Sequence, residues 1–226
     1  MNPKDKKMYI ERYEKNYERY GYDPRTLGWS KGRQEIRFHV LTSIGDVRNK
    51  SILDLGCGFA DLYDFLVRRG WQGKYTGFDI VPKLVEVARE RHPGIDVRLS
   101  DILEDDTDEK FDYILASGVF NAKLSGESNE LYIKKMMQKM FEMAYIGISV
   151  DFMSSYVDYR QEETYHVEPE VVFKMCKKLS KRVILRHDYM PYEFAVYVYK
   201  EDSINVKRNI FSQFLREYEG VMNGNK

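Results

Sequence analysis

Asp54-Leu55-Gly56-Cys57-Gly58-Phe59-Ala60 places a carboxylate two residues ahead of a pair of glycines that are themselves one residue apart. Such a pair permits a tight turn. Here the turn joins a short apolar run, Ile52 to Leu55, to an amphipathic run from Phe59 to Arg69. A strand, a glycine loop and a helix in that order bring backbone N–H groups and a helix start up to a ligand. A dinucleotide site would need a third glycine beside the pyrophosphate. Asp61 holds that place, and its charge would repel phosphates. A cationic ligand suits an acidic lip of Asp54 and Asp61 instead.

Three further strand ends carry polar groups. Lys74 to Ile80 reads as a strand ending in Asp79, about 20 residues beyond the glycine turn, where an acid binds ribose hydroxyls in nucleoside-binding α/β folds. Ile95 to Leu99 runs into Ser100-Asp101-Ile102, and Phe111 to Ala116 into Ser117-Gly118-Val119-Phe120-Asn121. The pattern D-x-G-x-G-x-A resembles the first cofactor motif of the class I S-adenosylmethionine (SAM)-dependent methyltransferases, with Ala60 where a third glycine is usual. The resemblance is carried by residues 51–121, is topological from there to Lys200, and is weak before Ile44. It implies a three-layer Rossmann-like α/β fold, with a seven-stranded, mostly parallel sheet closing in an antiparallel hairpin. It also implies SAM as cofactor, with Asp101 on the adenine amino group and Ile102 against the ring. The expected cofactor residues are then Arg37, Asp54, Gly56, Cys57, Gly58, Asp79, Ile80, Asp101, Ile102 and Ser117. Arg37 lies one helical turn from Arg33 and would pair its forked donors with the SAM carboxylate, beside Trp29; the alternative is two surface arginines.

These groups need elements to hold them. Lys4 to Tyr20 reads as a helix with Tyr9, Tyr13, Tyr17 and Tyr20 on one face, which is either a packing stripe or a lid over the site. Gly21-Tyr22-Asp23-Pro24 breaks it. A second helix is expected from a cap at Ser30 to about Ile44, and others over Pro82 to Arg91, Asn129 to Met143 and Pro169 to Leu179. Tyr145 to Phe152 reads as a fifth strand. Arg182 to Arg186 and Glu193 to Lys200 form an antiparallel pair joined by residues 187–192, and Ile204 to Tyr218 a closing helix. The chain is read as one domain, with a helical lid over 1–45, a cofactor-binding core over 46–200 and a C-terminal helix in 201–226.

Ligands of open α/β sheets sit beyond the carboxyl ends of the strands. The fourth and fifth strand ends and the hairpin link therefore face the methyl acceptor, which assigns Phe120, Asn121, Tyr156 and Tyr192 to its binding. His166 and His187 are the candidate bases on that face, against a structural role for each. The Asn/Asp-Pro-Pro motif of enzymes acting on base amino groups is absent, and no carboxylate set for a metal stands out. The reading is methyl transfer to O or N of a small molecule; the alternatives are an RNA or protein methyltransferase, or a SAM-binding protein without turnover. Thirty-six basic and 36 acidic residues balance, which argues against a nucleic-acid partner. Two distant cysteines in no metal-ligand spacing, and no apolar segment after Met1, fit a reduced cytoplasmic protein away from membranes.

Overall fold

The computed structural model describes residues 1–29, 33–105 and 107–224. Seven strands form one sheet: β1 (Ile52–Leu55), β2 (Tyr75–Asp79), β3 (Asp96–Leu99), β4 (Phe111–Ala116), β5 (Ala144–Met153), β6 (Val183–Met190) and β7 (Glu193–Tyr199). Their order is β3-β2-β1-β4-β5-β7-β6. The first five run parallel, while β7 is antiparallel to both β5 and β6. β1, β2 and β7 are buried along their whole length, as their largely apolar sequences require. The strand order reverses between β1 and β4, so the crevice at their carboxyl ends is where a ligand belongs.

Helices cover both faces. α3 (Asp61–Arg68), α4 (Pro82–Arg91), α5 (Asn129–Met143) and α6 (Pro169–Leu179) are the crossovers, and α2 (Gln34–Thr42) packs against β5 and β7. The methionines of α5, Met136, Met137, Met140 and Met143, all lie in the core on one side of the sheet. The expected cap of α2 at Ser30 falls outside the described residues; the helix is shorter than expected and ends at Thr42. β6 runs on through Met190, so the hairpin link is Pro191-Tyr192 rather than residues 187–192. The tail differs as well: Ile204–Asn205 and Ile210–Phe211 pair as a small ribbon before the last helix, α7 (Ser212–Gly224).

α1 (Pro3–Tyr20) is tied down at both ends. Asn2 caps it by accepting from the Lys4 N–H at 2.8 Å. Asp5 is buried and accepts from the Ser125 N–H, the Ser125 hydroxyl and the Gly126 N–H at 2.9, 2.8 and 2.9 Å. Burial pushes the Asp5 carboxyl up, but these bonds outweigh it and hold the group below the usual carboxylate range. At the other end Tyr17 packs on Phe59, with ring centres 6.1 Å apart, and Asn16 donates to the Thr26 carbonyl at 3.2 Å. α1 therefore bridges from the loop before α5 to the glycine loop.

Candidate active site

The glycine loop closes on β2. The N–H groups of Gly56 and Cys57 both donate to the Phe78 carbonyl, at 2.8 and 3.0 Å, and that of Gly58 donates to Asp79 Oδ2 at 2.8 Å. The expectation that these amides point at a ligand is thus corrected: they are used inside the fold, and the loop is no anion nest. Gly56 has φ +73°, and a Cβ there would stand 2.6 Å from Val119 Cγ2, so only glycine fits. Ala60 takes φ 61° as the N-cap of α3, a left-handed position where a third glycine would sit unstrained.

Above the loop lies a cleft of about 920 Å³, counting its open mouth. Nine of the expected cofactor residues line it: Asp54, Gly56, Cys57, Gly58, Asp79, Ile80, Asp101, Ile102 and Ser117. Tyr9 and Tyr13 of α1 and Gln34 of α2 complete the wall. Asp54 accepts from the Tyr75 hydroxyl at 2.7 Å; burial, resisted by that bond and abetted by Asp79 and Asp61, pushes its carboxyl up to about 7. Asp79 also accepts from the Val81 N–H at 2.9 Å, and burial raises its carboxyl although the backbone donors oppose it. Asp101 turns the chain by accepting from the Leu103 N–H at 3.1 Å and faces Lys6 at 3.2 Å. Asp61, in contrast, belongs to the outside: Tyr22 donates to it at 2.8 Å and Arg91 at 3.0 Å, so the acidic lip is Asp54 without Asp61.

A second cleft, of about 1170 Å³, shares Tyr9, Tyr13, Leu27, Trp29 and Gly118 with the first. Asn121 and Tyr192 line it. So does Arg37, which corrects its expected place: the residue is buried, its guanidinium lies 3.9 Å from the centre of the Trp29 ring, and it gives Nε and Nη2 to the two oxygens of Glu193. Its fork is already filled by a carboxylate from the chain itself. Beneath the shared wall, Asp151 accepts from the Ser117 hydroxyl at 2.8 Å and the Gly118 N–H at 2.6 Å. Burial pushes Asp151 up to about 6, with Arg37 pulling down and Glu193 pushing up.

Four expected site residues lie elsewhere. Phe120 is core, stacked on Phe152 at 5.3 Å. Tyr156 points out and donates to Glu170 at 2.5 Å. His187 sits on the edge strand β6, its ring 6.3 Å from Tyr156, with Nε2 3.3 Å from the Pro191 carbonyl oxygen. His166 faces the Ser154 carbonyl oxygen through Nδ1 at 2.9 Å. None of the four lines either cleft, so the expected convergence of the two histidines with Tyr156 and Tyr192 is not formed. Sequence reasoning passed over Arg12, Asn16 and Glu193. Arg12 and Asn16 carry a readable signal, since they stand three and seven residues after Tyr9 and share its helical face.

Residues 46–191 match the family model described as a methyltransferase domain. A protein of Mycobacterium tuberculosis named as a methyltransferase is 36% identical over 155 residues, covering 66% of this chain and 93% of its own length. Among solved structures, magnesium protoporphyrin IX methyltransferase of Synechocystis PCC 6803 with bound S-adenosylhomocysteine (SAH) superimposes with TM-score 0.61 at 14% identity, over 86% of this chain and 99% of that one. The N-methyltransferase NodS of Bradyrhizobium japonicum WM9, also with SAH, gives TM-score 0.61 at 16% identity, over 84% and 97%. With this strand order, this glycine loop and these matches, the chain belongs to the class I SAM-dependent methyltransferase family.

Proposed function

We propose that the chain moves the methyl group of SAM to an oxygen or nitrogen atom of a small molecule, with the cofactor in the first cleft and the acceptor in the second. The observation that carries this reading is the common wall: Tyr9, Tyr13, Leu27, Trp29 and Gly118 belong to both clefts, so two ligands would meet end to end there. In-line meeting is most of what methyl transfer asks of a protein, because a bound near-attack geometry removes several kcal/mol of barrier.

The residues of the first cleft fit the cofactor chemically. Asp79 lines the cleft as an acceptor for ribose hydroxyls, Asp101 and Ile102 offer an acceptor and an apolar flank for adenine, and Asp54 faces the cationic end. Gln34 takes the place once given to Arg37 for the amino-acid carboxylate, because it lines the cleft and Arg37 does not. When bound, SAM supplies a methyl group on a sulfonium leaving group; the protein orients and desolvates. The second cleft is lined by several aromatic and polar side chains, as suits a small acceptor. Among the described residues no helix is long and apolar enough to cross a membrane. We infer a cytoplasmic setting, since Cys57 and Cys176 are buried free thiols.

Calorimetry tests the reading. SAM and SAH should bind and NAD should not, and Asp79→Ala should weaken SAH by about 1–3 kcal/mol, the worth of charge-assisted hydrogen bonds to hydroxyls. Unchanged SAH affinity in a folded Asp79 variant, or preferential binding of NAD, would overturn it.

A further inference from the structure

We propose that the acceptor carries a carboxylate and that a carboxylate oxygen is the atom methylated, giving a methyl ester; this rests on the two-cleft reading above. The first observation is charge. Among the described residues the ionic side chains lining the second cleft are Arg12, Arg33, Arg37 and Glu193, and Glu193 is held two-point by Arg37. Arg37 and Glu193 neutralise each other, so Arg12 and Arg33 leave the cleft a net positive charge that suits an anion, and their forked donors match the two oxygens of a planar carboxylate. Arg12 reaches only as far as 4.0 Å from Glu163, an exposed pair that a ligand can displace.

The second observation concerns proton transfer. An alcohol, a phenol or an ammonium must lose a proton to become a methyl acceptor, and a base normally takes it. Among the described residues lining the cleft there is no histidine, and its one carboxylate is bound to Arg37. Tyr9, Tyr13 and Tyr192 do not substitute. Tyr9 donates to the Val119 carbonyl at 3.3 Å, Tyr192 donates to Asp158, and burial or these contacts raise the hydroxyls of Tyr9, Tyr13 and Tyr192. Asp151 lines neither cleft and accepts from the Ser117 hydroxyl and the Gly118 N–H. A carboxylic acid needs none of this, since it is already ionised at neutral pH. Its oxygen forms the new bond to the methyl carbon while the carbon–sulfur bond breaks, the bonding pair stays on sulfur as a neutral thioether, and no proton moves. The arginines then position the acid, and an acid with two carboxylates can leave one on them and present the other at the shared wall.

The test has a binding arm and a product arm. Calorimetry on the SAH-loaded protein compares terephthalate with terephthalamide. Terephthalate should bind at least about tenfold tighter, and Arg12→Ala and Arg33→Ala should each reduce that preference about threefold while SAH affinity stays unchanged. In the product arm, methyl-labelled SAM is offered with terephthalate, 4-hydroxybenzoate and 4-aminobenzoate. Ester methyl is released as methanol by mild alkali, whereas ether and N-methyl products resist it. Equal or weaker binding of the acid, or alkali-stable product from the hydroxy or amino acid, overturns the inference. Failure of SAH itself to bind instead overturns the two-cleft reading on which it rests.

Discussion

At the scale of single residues the first cleft is defined by acids kept dry. Asp54 and Asp79 are 4% and 7% exposed, and each is stabilised by donors from the fold rather than by a cation. A carboxyl whose folded-state value rises to about 7 from 3.8 holds its proton in the folded protein after the unfolded chain has lost it. Across that window the folded state binds more protons than the unfolded, so stability falls as pH rises from about 4 to about 7 and levels above it. Asp54→Asn should remove this share of the slope. Its stability should exceed that of the wild type at about pH 8 by on the order of 3 kcal/mol relative to their difference at about pH 4. Urea unfolding of both proteins across this range checks it, and identical slopes would show that Asp54 titrates normally. The arrangement also has a purpose in the proposed reading, because an ammonium brought beside Asp54 favours its ionised form. The sequence displayed these acids plainly, since each follows an apolar run at a strand end. It misplaced Asp61, whose partner Arg91 stands 30 residues away on α4, a pairing that no local pattern announces.

At the scale of elements, α1 decides who reaches the site. Its tyrosine face was readable as either packing or lid; Tyr17 packs on Phe59, while Tyr9 and Tyr13 line both clefts. The helix is fastened at its start by Asp5 and at its end by Asn16 and Tyr17, with the clefts between. Amide exchange over residues 9–20 should therefore slow when SAH is added. Asp5→Ala should speed exchange of the first two turns and weaken SAH several-fold, since it strands three donors of the 125–126 loop. Full protection without ligand, unchanged by SAH, would leave α1 a packing helix only. The strands were legible to within a residue or two because buried parallel strands read as apolar runs bounded by turns. The hairpin was less so. The link was read as residues 187–192, but β6 is an edge strand, half-exposed, and such strands accept polar residues without ending. The same error sent His187 to the site; the strand carries it on the edge of the sheet instead.

At the scale of the whole molecule, the second cleft depends on a contact between residues 156 positions apart, Arg37 of α2 and Glu193 at the start of β7. Nothing in either segment forecasts it. Arg37 looked available because an arginine one turn from another on a helix before the first strand is as readily a ligand group as a surface one. What settles its role is the antiparallel return of β7 beside β5, which brings Glu193 opposite Met153 and under α2. Both side chains are nearly out of solvent, at 6% and 8% exposure. Removing water from two charges is costly, so the pair is worth little net, while either charge left alone is worth much less than nothing. Glu193→Ala should therefore destabilise by about 3–5 kcal/mol, partly relieved by Asp151, whose carboxyl would ionise more readily beside an unpaired guanidinium. Arg37→Met should cost a similar amount. The double variant Arg37→Met/Glu193→Leu should recover most of the loss, because apolar side chains of similar size leave no buried charge. Urea denaturation of the four proteins gives the coupling directly. A double variant as unstable as the sum of the singles would mean that packing on Trp29, and not charge, is what Arg37 contributes. Recovery of stability with SAH affinity kept would mark the pair as a tie between the helical layer and the hairpin, fixing the floor of the acceptor cleft without touching the cofactor.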